Sequence, residues 1–293
     1  MNAFTIKDLE NLSGIKAHTI RIWEQRYNFL KPQRTETNIR YYTSDELKAI
    51  LNIALLNKYG YKISHIDRML PEEIRDRIIT LGNAQAQQER MVNELLQHMV
   101  DMDINTFEDV LDSYIAARGI DKTITQVIFP FLEKIGILWL TNHINAAQEH
   151  LVTNIIRQKL IVGIEGAFSH IGVKKTIILF LPEGEHHEIG LLYTFYLMKS
   201  HGVKVIYLGA NVPMKDVEYV ANLKKPDYLY CHLTSVAHNF NFEKFLNNYS
   251  IRCGQHKLVI SGLLTQQYKK KTPENVFFKR SLAEVMEYLA SLR

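Results

Sequence analysis

The sequence is poor in cysteine. Cys231 and Cys253 are its only thiols among 293 residues, and neither has a CxxC or metal-chelating partner. That argues against a disulfide framework and a cysteine-rich metal site, and a reduced, cytoplasmic protein is expected. Long hydrophobic runs are missing too. No window approaches the ~18 apolar residues of a membrane helix, and the opening Met-Asn-Ala-Phe-Thr-Ile-Lys-Asp has no apolar secretory core. No membrane partner is expected. The net charge of +4 is too small for a global nucleic-acid field, so any DNA contact must be a local patch. No nucleophile with an oriented base is legible, which argues against a hydrolase. Repeats and low-complexity linkers are also absent, so the parts must be told apart by changes of pattern.

What is present suffices for real cores. Hydrophobic residues make up 46% of the chain and charged residues 23%. At roughly 150 residues per domain, the length suggests two or more domains. The expected architecture is multi-domain α and α/β. It comprises a winged helix-turn-helix (residues 1–72), a four-helix bundle (73–172) and a flavodoxin-like, doubly wound parallel sheet (173–293).

In the first part, Ile6, Leu9 and Leu12 have helical spacing and Ser13-Gly14 breaks the helix. A second helix follows over about Lys16–Tyr27, with Ile20, Trp23 and Tyr27 on one face. Its other face offers His18, Thr19, Arg21, Gln25 and Arg26. Two short strands around a Thr35–Asn38 turn come next, flanked by Arg34, Arg40, Tyr41 and Tyr42. Ser44 is the expected cap of a helix to about Lys58, and a shorter helix is expected over Ser64–Met69. A helix entering a major groove needs short polar and basic side chains. A wing needs cations and hydroxyls for phosphates. The bland alternative is a small helical domain with a solvated basic face.

From Pro71 to Gly172 the chain reads as helices. Leu95, Leu96 and Met99 mark one, Phe107, Leu111 and Ile115 a second, Ile124 to Leu138 a third, and Ile144–Phe168 a fourth. From Lys174 the period changes. Ile177–Leu181, Lys204–Leu208, Tyr228–Leu233 and Lys257–Ile260 predict four strands, alternating with amphipathic segments and followed by a last helix over Leu282–Leu292. Such alternation means a parallel sheet, which binds ligands at the carboxyl ends of its strands.

Glu183-Gly-Glu-His-His-Glu-Ile-Gly190 lies at one such end. A loop histidine there could be a metal ligand, an acid–base group or simply exposed. Zinc would want three or four ligands, and adjacent His186 and His187 chelate poorly. A cofactor that brings its own metal needs only one protein ligand, a carboxylate to orient it, and a glycine where backbone must pass closely. Glu185-x-His187-x-x-Gly190 supplies all three. Leu233-Thr-Ser-Val236 and Ser261-Gly262 put small and hydroxylated residues at two later strand ends, leaving room for a narrow ligand tail.

Two resemblances join these observations. Thr-Ile-Arg-Ile-Trp-Glu-Gln-Arg-Tyr, then Leu-Lys-Pro-Gln-Arg-Thr and Arg-Tyr-Tyr, resembles the MerR-type winged helix-turn-helix over residues 3–70. Glu-x-His-x-x-Gly resembles the cobalamin-binding module of methionine synthase and the corrinoid mutases. Its glutamate form, with Trp139 and Glu149-His150 separated by nine residues, is similar to light-sensing MerR-type regulators of the CarH/LitR type. The resemblance implies a repressor that is not an enzyme, binds a double-stranded DNA operator and acts as a homo-oligomer, dimer or tetramer. It implies adenosylcobalamin as cofactor, with methylcobalamin or another cobalamin as alternatives. By resemblance, His187 ligates the cobalt and Glu185 orients it. The nucleotide tail passes Thr234, Ser235, Ser261 and Gly262, Gly190 is the motif's cofactor-binding glycine, and Trp139, Glu149 and His150 cover the upper face. DNA contacts fall to His18, Thr19, Arg21, Arg26, Arg34, Arg40 and Tyr41. One departure stands out. Family light sensors carry a histidine directly after the tryptophan, where this chain has Leu140, with His143 and His150 nearby. The alternatives are a cofactor-sensing or partner-controlled regulator without photochemistry, and a corrinoid methyl carrier.

Overall fold

The computed structural model describes residues 3–141, 143–170, 172–234 and 240–292. The chain divides into two compact units, one ending at Ile156 and the other starting at Arg157.

The first unit opens with α1 (Ile6–Ser13) and α2 (Ala17–Arg26). Thr5 and Asp8 form a reciprocal capping box at the start of α1, and Gly14 ends it with φ 76°, a left-handed conformation open to glycine. Helix α2 buries Ile20 and Trp23. Strands β1 (Gln33–Arg34) and β2 (Arg40–Tyr41) then pair antiparallel as the wing. Thr43, not Ser44, caps α3 (Ser44–Lys58): its hydroxyl accepts from Glu46 N, and the Glu46 carboxylate accepts from Thr43 N. Threonine one residue earlier wins because it meets the glutamate at the required third position. Helix α4 covers only Ile63–Ile66, and the expected extension to Met69 is a run of turns. Helix α5 (Pro71–Ile79) has Pro71 in its first turn and adds Ile78 to a core cluster with Trp23, Ile53, Leu56 and Ile66.

Helix α3 is buried almost all round: Leu47, Ile50, Leu51, Ile53, Ala54, Leu55 and Leu56 are all inside. It packs against α1 and α5, and against α6 (Ala84–Val100), the first helix of the bundle. The bundle continues with α7 (Ile104–Arg118), α8 (Ile120–Thr123), a π-helical segment Ile124–Ile128, α9 (Phe129–Leu140) and α10 (Ala146–Gly166). The widened π turn ends two residues before Pro130, whose ring nitrogen cannot donate to the carbonyl four residues back. Leu95, Leu96, Met99, Phe107, Val127, Phe131, Leu138 and Val152 fill the core. Lys134 of α9 donates to Leu12 O at 3.1 Å and to Asn93 Oδ1 at 2.8 Å, tying α1 to the bundle. Burial pushes this amine down to about 8.

The second unit alternates strand and helix: β3 (Val173–Pro182), α11 (Ile189–Ser200), β4 (Val203–Val212), α12 (Met214–Lys224), β5 (Tyr228–His232), α13 (Phe242–Cys253), β6 (Leu258–Ser261), α14 (Leu263–Gln267), β7 (Val276–Lys279) and α15 (Leu282–Ser291). The strand order is β4-β3-β5-β6-β7, with every pairing parallel. This is the flavodoxin-like order, and it reverses between β3 and β5, so the crevice lies past their carboxyl ends. Ile177 to Leu181 of β3 are wholly buried, as a central parallel strand requires. The sheet has five strands where the sequence predicts four. The extra one, β7, is a four-residue edge strand, Val-Phe-Phe-Lys, too short to set a period, with Phe277 43% exposed. Among the described residues, no helix is long and apolar enough to cross a membrane.

Candidate functional site

The loop leaving β3 at the reversal point carries Glu185 and His187. Asn211, at the end of β4, shapes it: its Oδ1 accepts from Gly184 N at 2.9 Å and its own N–H donates to Glu185 O at 3.0 Å. Asn211 has φ 57°, a left-handed conformation that asparagine tolerates better than most residues.

Glu185 is fully buried. Its Oε1 accepts from the His186 and His187 backbone N–H groups, both at 2.8 Å, and faces His187 Nδ1 at 2.6 Å. Burial alone would raise the Glu185 carboxyl. The side-chain and backbone hydrogen bonds from His187 outweigh that and hold it below the ordinary carboxylate value. A carboxylate only accepts, so Nδ1 carries the proton and Nε2 becomes the nitrogen suited to a metal. The imidazole is 58% exposed, while the carboxylate behind it is completely enclosed. Glu185 Oε2 is buried with no hydrogen-bond partner among the described residues. His186 is exposed.

This donor set fits a cofactor that needs one axial nitrogen from the protein. Among the described residues, no group of three or more His, Cys, Asp or Glu side chains could hold a bare metal ion.

The remaining expected residues are placed as follows. Gly190 is buried in the first turn of α11, and its carbonyl accepts from the Thr194 hydroxyl at 2.9 Å. Ser261 ends β6, buried, and its hydroxyl accepts from Tyr230 O–H at 2.7 Å and lies 2.7 Å from His232 Nδ1. Gly262 has φ 97°, and a Cβ there would meet Leu233 O at 2.3 Å, so backbone proximity already demands glycine. Thr234 is half-buried just past β5, and Ser235 lies outside the described residues. Sequence reasoning missed Asn211, Tyr207, Glu188 and His232. Tyr207 donates to Glu188 at 2.6 Å, and Arg157 pairs with the same carboxylate at 2.9 Å. Asn211 had a legible signal, lying between Gly209 and Pro213 at a strand end. His232, a lone histidine in an apolar strand, had none.

In the first unit, Trp139 lies in the last turn of α9 and is 49% exposed, unusual for so large an apolar side chain. Glu149 is in the first turn of α10, and His150 Nδ1 lies 2.9 Å from its carboxylate. No hydrogen bond joins Trp139 to either of them among the described residues. Between them in the chain, His143 turns back to α1. Its Nε2 is 3.3 Å from the buried Asp8 carboxylate, and its ring stacks on Phe4 at 5.7 Å. His18, Arg21 and Arg26 are exposed on α2, with Thr19 half-buried. Arg34 and Arg40 are exposed on the wing, with Tyr41 half-buried. Arg40 Nε lies 3.5 Å from Glu24 of α2, and Tyr42 O–H donates to the same glutamate. Wing and second helix are therefore held as one surface.

Comparison with known proteins agrees with this assembly. Residues 4–73 match the MerR HTH family regulatory protein model, and residues 91–162 match the B12 binding domain model. The HTH-type transcriptional repressor CarH of Myxococcus xanthus is 29% identical over 232 residues, covering 77% of this chain and 77% of its own. The repressor CarA of the same organism is 26% identical over 268 residues, 90% of this chain and 88% of its own. The chain is a homologue of CarH and CarA. The B12 match falls on the helices that carry Trp139, Glu149 and His150. The monomethylamine corrinoid protein of Methanosarcina barkeri shares the fold, with a TM-score of 0.55 at 14% identity over 70% of this chain and 100% of that one.

Proposed function

We propose that this protein is a cytoplasmic, DNA-binding transcriptional repressor that senses adenosylcobalamin and light. The observation that carries the reading is the Glu185–His187 pair at the crevice where the strand order reverses. His187 ligates cobalt through Nε2, and Glu185 holds the tautomer and ring orientation that make this possible. When bound, adenosylcobalamin supplies a cobalt–carbon bond that light breaks. Trp139, Glu149 and His150 address the adenosyl group, the half-exposed indole providing an apolar plate for it. The α2 face, with His18, Thr19, Arg21 and Arg26, reads base edges, and Arg34, Arg40 and Tyr41 of the wing meet phosphate. One short reader supplies too little affinity alone, so dimers or tetramers occupy repeated or palindromic operator sites. His143 supports coupling between input and output, because it follows Trp139 by four residues and rests on the first reader helix.

Leu140 favours a second reading, a cobalamin sensor without photochemistry. Leucine cannot ligate cobalt, and His143 is held against Asp8. Absorption spectra of the protein mixed with adenosylcobalamin in the dark, desalted and then exposed to green light separate these cases. Retained colour that light alters supports the first reading, retained colour that light leaves unchanged supports the second, and no retained colour removes both.

A further inference from the structure

Gly190 lacks a side chain beside the slot where the nucleotide tail of a cobalamin would pass, yet the space is not empty. A Cβ on Gly190 would lie 2.2 Å from His232 Cδ2 and 2.3 Å from His232 Nε2. The imidazole at the end of β5 already fills that space. It is held there from the other side, since His232 Nδ1 is 2.7 Å from Ser261 Oγ, which accepts from the buried Tyr230 hydroxyl at 2.7 Å. Burial also pushes His232 down to about 4, so the ring is neutral at ordinary pH. A neutral, planar heteroaromatic ring therefore occupies a slot between α11 and the ends of β5 and β6. The tail of cobalamin ends in a ring of the same chemical type, a benzimidazole.

We propose that His232 is a self-plug of the tail slot and sets the preference between corrinoids with and without a nucleotide tail. This rests on the cobalamin reading above. A tailed corrinoid must displace the imidazole, breaking the Ser261 contact and the packing on Gly190. A tailless one docks its ring over His187 and leaves His232 in place. The displaced ring makes tail entry a separate, slower event than ring docking.

The test compares adenosylcobalamin with adenosylcobinamide, which lacks the nucleotide, by equilibrium titration and stopped-flow absorption on the full chain. His232→Gly should tighten adenosylcobalamin binding about tenfold, near the worth of a buried hydrogen bond with its packing. It should leave adenosylcobinamide within about twofold. The slow phase expected with adenosylcobalamin, and not with adenosylcobinamide, should vanish. His232→Gln, a smaller change, covers the case in which the glycine variant fails to fold. In the cofactor-free protein, Gly190→Ala should lower the melting midpoint, and adding His232→Gly should restore part of it. Equal effects on both corrinoids, or a Gly190→Ala cost that His232→Gly does not relieve, would overturn the plug while leaving the cobalamin reading intact. Failure of the unmodified protein to bind either corrinoid would overturn both.

Discussion

His187 and His143 each meet a wholly buried carboxylate, Glu185 in the sheet unit and Asp8 in the helical unit, at 2.6 Å and 3.3 Å. The groups are alike but the surroundings are not. The His187 ring is 58% exposed and the His143 ring 15%. In the first pair the carboxylate is the foundation and the imidazole is presented outward. In the second both partners are enclosed, with Phe4 stacked on the ring. The same imidazole–carboxylate contact can present a ring outward or fasten two elements, and the exposure of the ring separates the two cases.

Mutations at the two histidines should break the comparison cleanly. His187→Ala should have the largest effect on cofactor binding, exceeding the roughly 10–100-fold loss typical of outer-shell partners, and should shift the bound spectrum. Its melting midpoint should fall modestly, because the buried Glu185 carboxylate loses one donor but keeps the His186 and His187 backbone N–H groups. Glu185→Gln should fall inside that range, roughly 10–100-fold, since the ring persists without its anchor. An unchanged spectrum for His187→Ala would remove the ligand assignment. His143→Ala should do the reverse: about 1–3 kcal/mol of stability lost, because the buried Asp8 carboxylate keeps only its Thr5 capping contacts and loses the imidazole, with the bound spectrum intact. Denaturant titration measures that loss, and a spectral shift in this variant would blur the distinction.

A third histidine gives the smallest effect and a pH signature. His232 titrates near 4 in the folded chain, against an ordinary value of 6.5, because burial disfavours its charged form more than the nearby Glu185 carboxylate favours it. The unfolded chain therefore takes up this proton first. Stability attributable to His232 is complete above 6.5 and declines as pH falls toward 4. His232→Gln should flatten the stability curve in that window and leave it unaltered above neutrality. An unchanged acid limb would mean the ring is protonated inside the fold.

Legibility followed sequence distance. The Glu185-x-His187 pair spans two positions and shows in a short window, as do the Thr35–Asn38 turn and the Gly14 stop. The Asp8–His143 contact joins residues far apart, and nothing local marks either partner. Strand β7 was lost because four residues at a sheet edge carry too few buried side chains to set a period. Helix α5 hid behind its many charges, Glu72, Glu73, Arg75, Asp76 and Arg77, though Pro71 marked its start. Ser261 and Gly262 were legible as small residues at a strand end. Their observed partners, Tyr230, His232 and the Leu233 carbonyl, come from another strand and could not be read from spacing.

Helix α3 has consequences for how such a protein could have arisen. Its buried side chains are shared between the winged helix and the bundle, and Lys134 reaches from the bundle to the end of α1. The DNA-reading segment is thus not a cassette that recombination can lift out and attach to a new sensor. A crossover near residue 72 would leave α3 with a bare apolar flank and the Lys134 amine without its carbonyl. A workable seam for joining a new sensor lies farther along the chain, where the helical unit gives way to the sheet.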